Sequence, residues 1–327
     1  MRSRWLWIVL ISAGSSCAPS QTSEQSLPRE VAVTFDDLPG VAMLRRQRCN
    51  AKAFAEMNQR LLKSIETKRI PAFGLVVEGR LCENQRKHLS ELLSLWLDAG
   101  LELGNHSFSH LDLNNTPLAA YEEDVVRGET VTAELLKQRG KRLKYFRHPF
   151  LHAGKDPGTR EAFEKFLTDR GYRVAPVTID NQEWVFAEVY AMAMGRGDTA
   201  TANRVGAAYL AYMEEIFDFF ERRSVEVVGR EIKQVLLLHA NPLNAEYFDE
   251  LVQMMRRRGY GFVTLDQALQ DPAYSLPDRY AGPIGLSWIH RWALTKGMEP
   301  REEPPEPEFI AQLFRNYFNT STGLGRR

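Results

Sequence analysis

The chain has 327 residues, enough for one large domain or two modest ones with a sizeable core. Its 42 basic and 42 acidic residues cancel, so no nucleic-acid or anionic-membrane partner is indicated. A hydrophobic content of 44% is ordinary for a soluble globular protein.

The first residues depart from that pattern. Arg2 and Arg4 precede the apolar run from Trp5 to Ile11, and small residues follow from Ser12 to Ala18. A basic start, a short apolar stretch and small residues predict a secretory leader over 1–18. The apolar run is too short to span a bilayer, so no transmembrane span is expected after processing. Cys17 leaves two outcomes open: a lipid anchor, or cleavage near Ala18 that releases a soluble protein to the periplasm or cell envelope. Residues 19–29 read as a polar tether. Once the leader is gone, Cys49 and Cys82 remain. An oxidising compartment favours a disulfide between them, the alternative being two unrelated buried thiols.

From residue 30 onward short β-type runs alternate with helical stretches. Residues 31–35 read as a buried strand, and 51–67 as a helix with Phe54, Met57, Leu61, Leu62 and Ile65 at helical spacing. Strand 70–77 precedes helix 84–98, and strand 101–104 precedes helix 118–138. A strand starts at Tyr145-Phe146, followed by helix 157–170, strand 173–179, strand 234–238, helix 244–258 and strand 261–263. Strands alternating with helices of this length predict a parallel βα architecture, and seven units over 30–271 suit a closed or nearly closed barrel. Two segments exceed a minimal barrel: a helical insertion over 181–233 and an extension over 272–327. The extension contains Trp288 and Trp292, and its Glu/Pro-rich part, 299–308, reads as a flexible linker or strap.

The residues with chemical potential fall at or just after predicted strand ends, where βα folds build their sites. Asp36 and Asp37 close the first strand. His106 and His110 stand four residues apart and, on a helix, project to one side. With Asp37 they make two nitrogens and one oxygen around an open face. That set suits Zn2+ best, and Co2+, Mn2+, Fe2+ or Ni2+ are also held by such ligands. Asp36 is left to take a proton from an attacking water, with Arg147 expected to pair with it and lower its pKa. His239, ending the 234–238 strand, is the candidate general acid, and Asp180 the candidate to orient it and keep it protonated. Trp184 is a candidate wall of a sugar-binding groove.

The runs Thr34-Phe35-Asp36-Asp37, His106-Ser107-Phe108-Ser109-His110, Arg147-His148-Pro149-Phe150, Thr178-Ile179-Asp180-Asn181-Gln182-Glu183-Trp184 and Leu236-Leu237-Leu238-His239 occur in this order. Together they resemble the five motifs of the polysaccharide deacetylases, the NodB-homology carbohydrate esterases, over roughly residues 30–270. The resemblance implies a deformed (β/α)7 barrel that hydrolyses N-acetyl, less often O-acetyl, groups on amino-sugar polymers such as peptidoglycan or chitin. It assigns Asp36 as base, Asp37, His106 and His110 as metal ligands, Arg147 as support for the base, Asp180 as tuner and His239 as acid. It also places Pro149 and Phe150 at the substrate. The chain differs from the family in two places. Leu38-Pro39-Gly40 stands where Gly-Pro is usual, and Phe150-Leu151 stands where an aromatic is followed by Gly. The 181–233 insertion is expected to wall off one end of the groove. Two other readings stay open: hydrolysis of a small non-sugar amide by the same apparatus, and an inactive glycan-binding envelope protein.

Overall fold

The computed structural model describes residues 29–43, 49–82 and 85–323. The expected leader, Cys17 and nearly all of the tether lie outside the described residues. The parallel βα arrangement predicted from the strand–helix alternation is what forms. The strands are β1 (Arg29–Leu38), β2 (Phe73–Val76), β3 (Glu102–Asn105), β4 (Tyr145–Phe146), β5 (Arg173–Val174), β6 (Gln234–His239) and β7 (Tyr260–Phe262). All pair in parallel in the order β5-β4-β3-β2-β1-β6, with β7 joined to the N-terminal end of β1. β1 is buried from Val31 to Leu38, as expected of a strand covered on both faces.

The expected strand over 173–179 is divided, and the division closes the curl of the sheet. The Ala175 N–H donates to the Phe146 carbonyl at 2.8 Å, continuing β5 along β4. Pro176 follows and has no N–H to offer a ladder. The N–H groups of Thr178 and Ile179 then donate to the Val235 carbonyl, and Ile179 bridges Leu236 of β6. One stretch of chain therefore touches both edges of the sheet. The result is a deformed barrel with seven strands.

Helices α1 (Ala51–Lys68), α2 (Arg86–Asp98), α3 (Leu118–Arg127), α4 (Thr130–Gln138), α5 (Pro157–Asp169) and α8 (Pro242–Arg257) cover the outside. In α1 the predicted apolar positions are the buried ones, and the Asn50 side chain caps its first turn by accepting from the N–H groups of Lys52 and Ala53. The single helix expected over 118–138 is two helices, parted at Gly128. Glu78, buried, accepts from the N–H groups of Val131 and Thr132 at the start of α4. Cys49 and Cys82 form a disulfide, their Cα atoms 5.2 Å apart.

The insertion contributes α6 (Glu183–Gly195) and α7 (Thr199–Val228), with α6 packed against both α7 and α8. After the short α9 (Leu265–Ala268), the extension forms α10 (Trp288–Thr295), packed on α7, and α11 (Glu308–Gly323), packed on α6. Between them the Glu/Pro-rich stretch has no regular structure but is held along its course. Arg223 donates to the Glu299 carbonyl at 2.9 Å, and His290 faces Glu303 at 3.2 Å. It is a strap rather than a linker. No helix of the described residues is long and apolar enough to cross a membrane.

Candidate active site

Asp36 and Asp37 would point to opposite faces of a regular strand. Here the register of β1 against β2 shifts between Phe35 and Leu38, and Asp37 adopts a left-handed backbone with φ 64°. This bulge turns both carboxylates toward one cavity, which is a common use of bulges beside sites. The Leu38-Pro39-Gly40 turn then packs on the barrel. Asn58 donates to the Pro39 carbonyl at 2.8 Å, and Val41 N–H donates to the Ala240 carbonyl at 2.9 Å. At Gly40 the backbone φ of 154° is one that other residues rarely adopt, and a Cβ would also lie 3.1 Å from the Ala240 carbonyl oxygen, so glycine is favoured.

Arg147 is completely buried and spends its guanidinium on four acceptors. Nη1 donates to Asp36 Oδ1 at 2.5 Å and to Thr34 Oγ1 at 2.7 Å, while Nε and Nη2 donate to the carbonyls of Ala175 and Pro176. The expected pairing with Asp36 is present, but its effect on the acid is not the expected one. Burial raises the Asp36 pKa above the ordinary carboxylate value, and Arg147 and His239 only partly pull it back.

The segment carrying His106 and His110 is a loop, not the helix that the spacing suggested. Ser107 and His110 both have left-handed backbones, with φ 69° and 55°. Ser107 Oγ accepts from the His110 N–H at 3.0 Å, Asn105 Oδ1 accepts from the Ser107 N–H at 2.7 Å, and Asp124 receives the N–H groups of Phe108 and Ser109. This folded loop sets the two rings edge to face, 5.0 Å apart.

Asp37, His106 and His110 each offer one ligand atom, and these atoms lie within 4.8 Å of one another. Three features of the set fit a divalent ion. Asp37 Oδ1 is buried without a hydrogen-bond partner and faces His110 Nε2 at 3.4 Å and His106 Nε2 at 3.9 Å. His106 engages the Arg147 carbonyl through Nδ1 at 2.8 Å, which leaves Nε2 directed at the cluster, a common support for metal-ligating histidine. Both imidazoles are held neutral, as ligands must be: burial pushes each pKa down to about 4 against the pull of Asp37. Burial alone would raise Asp37, but Arg80, His110, His106 and His239 together hold it well below the usual carboxylate range.

His239 lies beside Asp36, the two being partners in the β1–β6 register. Its Nδ1 is 2.8 Å from Glu183 Oε2, not in contact with Asp180. Glu183 is fully buried at the first turn of α6, and its other oxygen accepts from the side chains of Asn241 and Asn244. Burial lowers the His239 pKa, but the Glu183 bond and the Glu183, Asp37 and Asp36 charges outweigh it and raise the value to about 9. The contact with this imidazole expected of Asp180 is therefore made by Glu183. Asp180 instead accepts from the Asn181 N–H at 2.8 Å, and burial together with the nearby Glu303 of the strap raises its pKa to about 7.

The cavity holds ≈ 320 Å³ and is lined by both aspartates, His106, His110 and His239, with Phe150 and Trp184 at its rim. Pro149 is buried and not among the lining residues. Phe150 and Leu151, at φ 57° and 55°, are both left-handed, and Phe150 stacks edge-on against His110 with centroids 4.6 Å apart. The extension backs this turn: a Cβ at Gly285 would come within 1.9 Å of the Phe150 carbonyl. One wall is α6, through Trp184, Ala187 and Glu188. Trp184 leans on Phe314 of α11 and donates from Nε1 to Gln182 Oε1. Sequence reasoning also missed Arg80, whose Nη2 is 2.6 Å from Asp37 Oδ1 as an ion pair not aligned for a hydrogen bond.

Fold and site together define a βα-barrel protein whose strand ends carry a candidate divalent-cation site flanked by a carboxylate–arginine pair and a histidine–glutamate pair. Residues 23–166 match the family described as polysaccharide deacetylase, so over that stretch the chain is similar to that family. The matched stretch contains Asp36, Asp37, His106, His110 and Arg147 and ends before Asp180, Glu183 and His239. No curated protein matches the chain. Similar solved structures include the peptidoglycan deacetylase PdaC from Bacillus subtilis, 19% identical over 74% of this chain and 91% of that one, with a TM-score of 0.46. The polysaccharide deacetylase Bc1974 from Bacillus cereus is 18% identical over 72% and 91%, with a TM-score of 0.49. BA3943 from Bacillus anthracis, described as a CE4 family pseudoenzyme, is 16% identical over 74% and 66%, with a TM-score of 0.46.

Proposed function

We propose that this chain is a metal-dependent hydrolase that removes N-acetyl groups from amino-sugar glycans of the cell envelope. One observation carries the reading: a carboxylate held by Arg147 and an imidazole held by Glu183 stand side by side against a three-ligand cluster in one cavity. A divalent ion held by Asp37, His106 and His110 would supply Lewis acidity, polarising the acyl oxygen and acidifying water.

The remaining work falls to the chain's own groups. Asp36, held in one orientation by Arg147, takes a proton from the water that attacks the acetamide carbon. Its raised pKa makes it a better proton acceptor than an ordinary carboxylate. His239, with a pKa of about 9, carries a proton at neutral pH and delivers it to the departing nitrogen as the C–N bond breaks. The products are acetate and a free amine. Glu183 keeps the imidazole in the tautomer and orientation that this transfer needs. Phe150 and Trp184 offer flat apolar faces for a sugar ring at the rim.

The α6 wall favours a chain end or short oligomer over the middle of a long polymer. An envelope location is part of the proposal. It is supported by the leader-like start of the sequence and by the Cys49–Cys82 disulfide, which suits an oxidising compartment. The test is acetate release by purified protein from peptidoglycan, chitin oligomers and other acetylated envelope glycans, with cyclic amides and ureides alongside, each with and without chelator. Chelator-sensitive acetate release from a glycan supports the reading. Turnover confined to small amides overturns the substrate class. Glycan retention without acetate release from metal-loaded protein overturns the enzyme.

A further inference from the structure

Arg80 is outside every motif that carries the family resemblance, yet it reaches the centre of the site. It lies on the turn after β2, and that turn is fixed from three sides. The Gly79 N–H donates to the Phe108 carbonyl at 2.9 Å, the Arg80 N–H donates to the Val77 carbonyl at 3.1 Å, and Cys82 is tied to Cys49. Gly79 itself is part of the fit. A Cβ there would come within 2.5 Å of the Phe108 carbonyl, so glycine lets the turn lie directly on the His106–His110 loop. The position of Arg80 over Asp37 is thus built into the backbone.

The contact is with the oxygen that matters. Arg80 Nη2 is 2.6 Å from Asp37 Oδ1, the same oxygen that faces His110 Nε2 and His106 Nε2. Among the described residues no other carboxylate pairs with this guanidinium, and its Nε is buried without a partner. Its side chain is 29% exposed while Asp37 is 8% exposed, so Arg80 has a way out toward solvent and Asp37 does not.

Resting on the metal-site reading above, we propose that Arg80 is a built-in counter-ion that competes with the divalent metal for Asp37 Oδ1 and so sets how tightly this chain retains its ion. A guanidinium and a divalent cation on one oxygen repel each other in a site shielded from water. Part of the carboxylate's charge is already neutralised, and the entering ion must displace the arginine toward solvent. The effect weakens binding for every divalent ion and leaves the ligand set unchanged. It disfavours weakly held ions first.

The experiment is calorimetric titration of Zn2+, and separately Co2+, into the metal-stripped full chain and its Arg80→Ala, Arg80→Gln, Arg80→Lys and Asp37→Ala variants. Circular dichroism checks that each variant is folded. Arg80→Ala and Arg80→Gln are expected to bind both ions about tenfold more tightly than the parent, and Arg80→Lys close to the parent. Affinity unchanged or weakened in both neutral variants, with Asp37→Ala still abolishing tight binding, overturns the proposal alone and makes Arg80 a bystander or a support for Asp37. If Asp37→Ala binds as tightly as the parent, the metal-site reading falls and the proposal falls with it.

Discussion

His239 is the group most dependent on its neighbours. Buried without them, its imidazole would be neutral; Glu183 turns it into a proton donor. Glu183→Gln keeps the shape and the Asn241 and Asn244 contacts but removes the charge. The variant is expected to lose about 10²-fold or more in kcat, the scale of a general acid's contribution. Its alkaline limb should also move below the value of about 9 set by the pairing, as read from the pH profile of kcat/KM. Asp180→Asn should leave that limb in place; a shift there instead of in Glu183→Gln would return the orienting role to Asp180. The pairing also has a stability signature. Because the folded pKa is raised, its contribution is fully present below the unfolded imidazole value of about 6.5 and is lost as pH rises through about 9. The sequence pointed to Asp180 as the partner of this imidazole, whereas the contact is made by Glu183, three residues on. What selects Glu183 is the pair of amides from Asn241 and Asn244, nearly sixty residues away, together with the start of α6, which buries its first residue. No local pattern carries that information.

The loop from His106 to His110 shows why the spacing of two ligands is more legible than the backbone that delivers them. A four-residue separation suits a helix face, and the histidines do converge, but through two left-handed residues and a set of side-chain caps. Behind the loop, α3 and α4 part at Gly128. A Cβ at that position would lie 2.3 Å from the Ser107 carbonyl carbon and 2.5 Å from its oxygen. Both atoms are backbone and cannot swing aside. Gly128→Ala is therefore expected to destabilise the fold by about 1–3 kcal/mol, the usual cost of overpacking, and to weaken Zn2+ binding several-fold by displacing the loop. Thermal unfolding and metal titration read the two effects. Gly261→Ala, whose nearest contact would be 3.8 Å away, serves as the comparison and should leave metal affinity unchanged. Unaltered Zn2+ affinity in Gly128→Ala would mean that the loop is held by its own caps alone. The same close packing accounts for the break in the helix expected over 118–138: the periodicity of Tyr121, Val125, Val131 and Leu135 gives no sign of it.

For the molecule as a whole, the alternation of apolar runs and helical stretches was enough to predict a parallel, barrel-like sheet with its chemistry at the strand ends. The seven strands recur in the expected order, and the site residues Asp36, Asp37, His106, Arg147 and His239 sit at those ends. Less was legible where distant segments meet. Pro176 divides one expected strand so that it closes the barrel, and the extension supports the Phe150 turn and Trp184 instead of trailing as a linker. Such contacts depend on which surfaces come together in three dimensions, a property that periodicity within one segment does not encode. The bulge at the end of β1 belongs to the same class, and the proposed function turns on it, since it presents two adjacent carboxylates to one cavity, where the proposal gives them different tasks. The most direct test of that division is the Asp36→Asn variant, with bound metal measured by elemental analysis and acetate release measured on the same preparation. The account predicts one ion per chain retained as in the parent, with acetate release down by several orders of magnitude. Loss of the metal together with the activity, or activity near the parent's, would contradict it.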